Sequence, residues 1–250
     1  MAIGIMGALH EELAGMLEAM PDEQRQQVAG RTFWCGHWQG QQVVVVLSRV
    51  GKVAAATTAT ALIEHFGVSR VVFAGVAGGI GPQVHVGDVV VATGFMQHDM
   101  DASPLFPRYE VPLYGRTVFE TDASMTHQLA QAAREVLEEV GLYVDAQSVQ
   151  AFALHRAQCH QGLVATGDRF VSSAQECRTL QQTLPNALAV EMEGAAVAQV
   201  CLDYGVTFSA FRTISDRADH EAHTDFTRFV REVASHYSVA VLSRWLRQIT

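Results

Sequence analysis

Apolar positions at the start of the chain fall into short runs with two different periods. Ala2–Gly7 is β-rich and ends in glycine, whereas Leu13, Met16, Leu17 and Met20 recur with helical spacing over Glu11–Met20. Arg31–Trp38 and Gln42–Ser48 read as two strands joined at Gln39-Gly40 into a hairpin. Gly51 then precedes an Ala/Thr/Leu-rich helix from Lys52 to about Phe66, and Val71–Ala74 is a buried strand. The glycine cluster Gly75–Gly81 follows it as a turn, and Asp88–Ala92 is the next strand. Gln97–Arg116 mixes Pro104, Pro107 and Pro112 with aromatic residues and shows no period, so it reads as a long loop of the kind that often carries function. Asp122 is a good N-cap for a helix ending near Gly141. Strand-like segments follow at Ala146–Leu154 and Gly162–Thr166, then a helix over Gly194–Tyr204 and a buried strand over Val206–Ile214. The last helix, Phe226–Arg247, repeats apolar residues at Phe226, Phe229, Val230, Val233, Tyr237, Val241 and Trp245.

Strands and helices in alternation, with hairpins inserted, imply a mostly parallel or mixed sheet covered on both faces. Residues 1–250 carry no internal repeat and no linker, so a single α/β domain is expected. Ligands bind such sheets at the carboxyl ends of strands. Three segments fall at those ends: Gly7 to Glu12, Gly75 to Gly81, and Ser215-Asp216.

Composition narrows the function classes. With 49% hydrophobic and 17% charged residues, the chain can bury a well-covered sheet. A net charge of −9 argues against nucleic acid or an anionic membrane surface as the main partner. The N-terminal MAIGIMG has no basic region or cleavage site of a secretory signal, and charged residues and glycine clusters interrupt every candidate membrane span. Cys35, Cys159, Cys177 and Cys201 are scattered and read as reduced thiols. The expected location is the cytoplasm.

Several motifs exclude more than they assign. Gly75–Gly81 holds four glycines in seven residues but is not GxGxxG, so a dinucleotide site is poorly supported. It is either a plain chain reversal or a ligand-facing turn. Gly162 to Arg169 lacks the GK[ST] ending of a P-loop. His98-Asp99-Met100-Asp101 and His155 to His160 do not have metal-ligand spacing, so no metal is expected. In Val190–Ala196, Glu191 and Glu193 flank Met192 inside an apolar run, either as a solvated helix start or as a binding pair that would be costly if buried unpaired. Asp216, directly after an apolar strand and a serine, suits either a helix cap or a catalytic acid.

Taken together, Ile5–Glu12, Val50–Ala55, Gly75–Gly79, Gly167–Val171, Val190–Glu193 and Arg212–Asp216 resemble, in order and approximate spacing, the 5′-methylthioadenosine/S-adenosylhomocysteine nucleosidase family. The resemblance runs over essentially the whole chain, and VEMEG with RTISDRAD is its specific part. It implies a three-layer α/β/α sandwich around a mixed, partly barrel-like sheet. It also implies hydrolysis of the N-glycosidic bond of 5′-substituted adenine nucleosides without a cofactor.

By that resemblance Asp216 is the acid that protonates adenine N7, and Ser215 helps to hold it. Such a role needs an enclosed site or a neighbouring negative charge that keeps the carboxyl protonated. Glu12 matches the base that orients and deprotonates water, with Arg212 as its helper. Glu193 would accept hydrogen bonds from the ribose 2′- and 3′-hydroxyls, a sensible pairing of two acceptors with two donors. Met192 would lie against the sugar, Phe170 would stack on adenine, and the backbone of Val171 would read the base edge. Val76 and Gly78 would face the ligand, although Val76 stands where many members carry serine or threonine. Leu105 or Phe106 would be lent by a neighbouring subunit to cover the 5′-alkylthio group, which makes a homodimer the expected assembly.

Two rival readings keep the fold and change the chemistry. A nucleoside phosphorylase would want arginines for a phosphate dianion, which Glu11-Glu12 would repel. A non-catalytic nucleoside-binding protein would be expected to lack Glu12 or Asp216, and both are present.

Overall fold

The computed structural model describes residues 2–217 and 226–249, so Ala218 and Asp219 of the last motif lie outside the described residues. Among the described residues ten strands join one mixed sheet. β1 (Ile3–Gly7) lies between β4 (Gln41–Leu47) and β5 (Arg70–Gly79), parallel to both. β2 (Gln24–Val28) and β3 (Arg31–Trp38) continue that edge as antiparallel neighbours. On the other side β5 pairs with β9 (Ala187–Glu191) and also with β10 (Thr207–Asp216). β10 meets β6 (Val89–Gln97), β6 meets β8 (Cys159–Thr166), and β8 meets β9. Those pairings close β5, β10, β6, β8 and β9 into a five-stranded barrel, and the short β7 (Val118–Glu120) hangs on β6.

Helices cover both faces, as alternating elements require. One layer is α1 (His10–Glu18), α3 (Ala123–Glu138) and α8 (Ser235–Gln248), whose apolar residues bury Leu13, Met16, Leu129, Val136, Tyr237 and Trp245 against the sheet. The opposite layer is α2 (Lys52–Phe66) on α6 (Gly194–Tyr204), packing Ala55, Leu62, Val197 and Cys201. A smaller cluster joins α5 (Ala174–Thr183) to β8 and β9. The three-layer sandwich with a barrel-like sheet is therefore as expected. The hairpin at Gln39-Gly40, the extent of α2 and α6, the Asp122 cap and the long loop after Gln97 also match their expectations.

Four expectations need correction. The glycine cluster is not a turn: β5 runs on through Gly79, bonded to β10 and β9. Glycine is needed there for close approach, since a Cβ at Gly79 would stand 3.1 Å from Ile214 and 3.2 Å from Val84. Ala146–Leu154 is not a strand but α4 (Ala146–Ala151) and a 3₁₀ turn (Leu154–Arg156). Asp145 decides it, accepting the Gln147 and Ser148 N–H groups at 3.0 Å each as an N-cap. The strand expected at Asp88–Ala92 begins one residue later and reaches Gln97. The last helix is not one uniform piece, because a π turn (Val230–Ala234) separates α7 (Phe226–Phe229) from α8.

Candidate active site

Strand ends from β1, β5, β8, β9 and β10 converge on one cavity of about 240 Å³. Val76, Gly78, Phe170, Val171, Met192, Glu193, Ser215 and Asp216, all expected at a site, line it. Ala8, Leu9, Val50, Ala77, Arg169, Val190, Glu191 and Phe226 complete the lining. Its size lies just below the roughly 300–1,000 Å³ of drug-sized ligand pockets, which suits a nucleoside better than a dinucleotide. Phe170, 47% exposed, meets Phe226 edge-on with ring centroids 6.4 Å apart and forms an aromatic wall at the mouth.

At the end of β10 the register with β5 slips between Ile214 and Asp216, so Ser215 is an extra residue in the ladder. A bulge of this kind re-aims side chains at the rim of a barrel. Here both side chains end up buried at the cavity, with Ser215 Oγ donating to Asp216 Oδ2 at 2.8 Å. Asp216 therefore belongs to the strand itself rather than following it.

Glu12 comes from the first turn of α1, just beyond β1. Its Oε2 accepts the N–H groups of Ala8 (3.0 Å) and Leu9 (3.1 Å), which line the cavity. Oε1 has no hydrogen-bond partner among the described residues. Complete burial pushes the Glu12 pKa up to about 7, against the lowering pull of those two amides and of Arg212.

The two glutamates of Val190–Gly194 divide their work. Glu191 is saturated: it accepts from Thr166 Oγ1, the Glu193 and Gly194 N–H groups, and Arg212 Nη2 at 2.9 Å. Arg212, fully buried, also donates to the Phe73 and Phe211 carbonyls at 2.8 and 3.0 Å and lies over the Phe73 ring. Arg212 thus sits behind the cavity and does not line it. Glu193 has a simpler contact, accepting the Gly51 N–H at 2.7 Å through Oε1. Burial first, and the Glu191 charge second, hold its pKa well above the usual carboxylate range.

Glu191 is the residue that sequence reasoning left without a role, although the paired carboxylates flagged its position. Breaking a buried ion pair by removing one partner costs about 3–5 kcal/mol, because the other charge stays buried. Glu191→Ala should therefore lower the Tm by on the order of 10 °C for a chain of this size. A thermal melt within about 2 °C of the parent would show that the pair does not brace the site.

Other expected residues lie elsewhere. Leu105 is 85% exposed, and neither it nor Phe106 lines the cavity of the single chain. Asp99 is engaged by Lys52, and His160 by Asp88 at 2.9 Å. Among the described residues no group of three or more His, Cys, Asp or Glu could hold a metal ion, and no helix is long and apolar enough to cross a membrane.

Known proteins resemble the chain along its whole length. Residues 2–247 match the family model described as the Phosphorylase superfamily. A 5′-methylthioadenosine/S-adenosylhomocysteine nucleosidase from Shewanella halifaxensis (strain HAW-EB4) is 32% identical, with 100% of both chains covered. The nucleosidase of the same name from Neisseria meningitidis, solved in complex with methylthio-immucillin-A, superposes with a TM-score of 0.86 at 29% identity, covering 99% of each chain. The futalosine hydrolase of Helicobacter pylori strain 26695 gives a TM-score of 0.84 at 32% identity, covering 99% of this chain and 97% of that one. By its sheet, its site and these relatives, the chain belongs to the 5′-methylthioadenosine/S-adenosylhomocysteine nucleosidase family of the phosphorylase superfamily.

Proposed function

We propose that this enzyme hydrolyses 5′-methylthioadenosine and S-adenosylhomocysteine to adenine and the 5-substituted ribose. Asp216 would donate its proton to adenine N7 as the C1′–N9 bond breaks and its electron pair passes to the base. A water on the opposite face would form the new C1′–O bond and lose a proton to Glu12. An acid and a base on opposite sides of a sugar are the working parts of glycoside hydrolysis. The observation that carries this reading is the Glu12 carboxyl, held through Oε2 by the Ala8 and Leu9 amides while Oε1 is buried with no partner among the described residues. Glu12 lies behind the Ala8–Leu9 lining rather than on it, so a water reaching Oε1 there would give up its proton to it, and a pKa of about 7 suits a base at neutral pH. Ser215 supports Asp216, and Arg212 serves the base from behind the cavity through its charge. Release of adenine from both nucleosides by the purified chain is the direct test, and no release from either would overturn the assignment.

The same reading gives Glu193 the ribose diol, with Met192 against the sugar, Phe170 and Val171 on the base, and Val76 and Gly78 on the adjoining wall. A carboxylate deprived of a donor that it has been desolvated to meet is penalised by about 1–3 kcal/mol. The kcat/KM for a 2′-deoxy substrate should accordingly fall about 5- to 150-fold below that of its ribo counterpart. Equal values would remove Glu193 from sugar recognition.

A homodimer in the cytoplasm, acting in methionine salvage and recycling of S-adenosylmethionine by-products, completes the proposal. Exposed Leu105 and Leu113 on the long loop support a second copy as its cover, since apolar groups gathered in one segment mark interfaces. Sedimentation at micromolar concentration should then give about twice the 27.2 kDa chain mass. Replacing Leu105 and Phe106 together by alanine should weaken methylthioadenosine turnover more than adenosine turnover. A fully active monomer would contradict it.

A further inference from the structure

The segment His98-Asp99-Met100-Asp101 has no part in the chemistry above, yet Asp99 belongs to a closed ring beside the cavity. Three remote pieces of chain meet at the start of α2. The Lys52 N–H, one of the helix's orphan donors, gives to Asp168 Oδ1 at 2.8 Å. The Asp168 N–H gives to Asp99 Oδ2 at 2.9 Å. Asp99 Oδ1 in turn receives Lys52 Nζ at 2.7 Å, and the same ammonium donates to Gln97 Oε1 at 3.0 Å. Lys52 thus closes the ring, with its backbone at one end and its side chain at the other.

This ring bears on the peptide that grips Glu193. Gly51, immediately before Lys52, donates its N–H to Glu193 Oε1 at 2.7 Å. Its φ of 93° is one that L side chains rarely adopt, and a Cβ there would stand 3.2 Å from Asp168 Oδ1. Successive amides at the positive end of one helix therefore face two carboxylates, Glu193 and Asp168. Like charges so gathered repel, and Lys52 is the cation set against Asp168 and Asp99. Burial acts to raise the Asp99 pKa, but hydrogen bonds from Lys52 and the Asp168 N–H, with the Lys52 charge, outweigh it and leave it below the usual aspartate range. The Lys52 side chain is only 17% exposed, so solvent screens this contact less than a surface pair.

We propose that Lys52 is a positioning residue for sugar recognition, its ammonium closing the Asp99–Asp168 ring that aims the Gly51 amide at Glu193. The proposal rests on the reading of Glu193 as the acceptor of the ribose diol. Removing the ammonium leaves Asp99 and Asp168 opposed, frees the Gly51 peptide and loosens Glu193, without touching Asp216 or Glu12.

The test measures kcat/KM for methylthioadenosine and its 2′-deoxy counterpart in the full chain carrying Lys52→Met, Lys52→Arg, Glu193→Gln, or Lys52→Met with Glu193→Gln. Lys52→Met should shrink the ribo to 2′-deoxy preference by about 5- to 50-fold, a large part of the roughly 5- to 150-fold preference ascribed to Glu193. Lys52→Arg should restore part of that preference, and the double variant should lose no more of it than Glu193→Gln alone, because the two residues act as one unit. Asp99→Asn opens the ring from its other side and carries the same expectation if Lys52→Met does not fold. A preference kept in Lys52→Met, or in Asp99→Asn where it stands in, but lost in Glu193→Gln overturns the role of Lys52 alone. So does additive loss in the double variant. A preference kept in Glu193→Gln overturns the sugar assignment, and the proposal with it.

Discussion

Asp216→Asn lowers adenine release by about 10²–10⁴-fold or more, the worth of general acid catalysis. The substitution keeps the shape at the end of β10 and the Ser215 hydroxyl beside it, and removes the proton that Asp216 is proposed to give the leaving base. Its effect should accordingly fall on kcat, with KM for methylthioadenosine little changed, as for an interaction made only in the transition state. The bulge at Ser215 makes the comparison a clean one, since it is the backbone register and not the carboxylate that places position 216 at the cavity. Activity within about tenfold of the parent would remove Asp216 as the acid.

Glu12→Gln abolishes turnover but leaves nucleoside binding nearly intact, because its proposed partner is water rather than substrate. Calorimetry showing binding lost together with turnover would make Glu12 a ligand contact. The same substitution has an opposite effect on stability. The Glu12 pKa rises from 4.5 to about 7 in the fold, so the folded state prefers the protonated carboxyl. The resulting stability is fully present below about pH 4.5 and is lost as pH rises through about 7. At roughly 1.36 kcal/mol per pH unit the loss above pH 7 comes to about 3 kcal/mol. Glutamine cannot ionise, so the variant should melt higher than the parent at pH 8 and close to it at pH 4. The parent's kcat/KM should rise with pH through about 7, as the base loses its proton. Equal melting of parent and variant at pH 8 would mean that the buried charge carries no such penalty.

Elements whose signals are local were legible from the chain alone. The helix Lys52–Phe66 is bracketed by Gly51 and Gly67, and Gly194–Tyr204 ends at Gly205. Features set by distant neighbours were not. β2, QRQQV, is a nearly all-exposed edge strand with no apolar alternation to reveal it. The glycines after Ala74 read as a turn because glycine favours turns, whereas Gly79 lies in β5 and lets Ile214 and Val84 approach that strand closely. At the site, the lining residues Phe170, Met192, Glu193, Ser215 and Asp216 were named from motif order. The contrast between Glu191 and Glu193 could not be, since it depends on Thr166, Arg212 and Gly51, which reach the pair from other strands and helices. The Lys52 ring is hidden for the same reason, because its members lie 47 and 116 positions apart.

Hydrolysis by water on side chains alone is the central claim, and its most direct measurement is adenine release from methylthioadenosine in phosphate-free buffer and again with phosphate added. The sugar product is identified by mass in both. The account predicts the same rate in the two buffers and free 5-methylthioribose in each. Release that depends on phosphate and yields a sugar 1-phosphate would contradict it, and would make the enzyme a phosphorylase on the same fold.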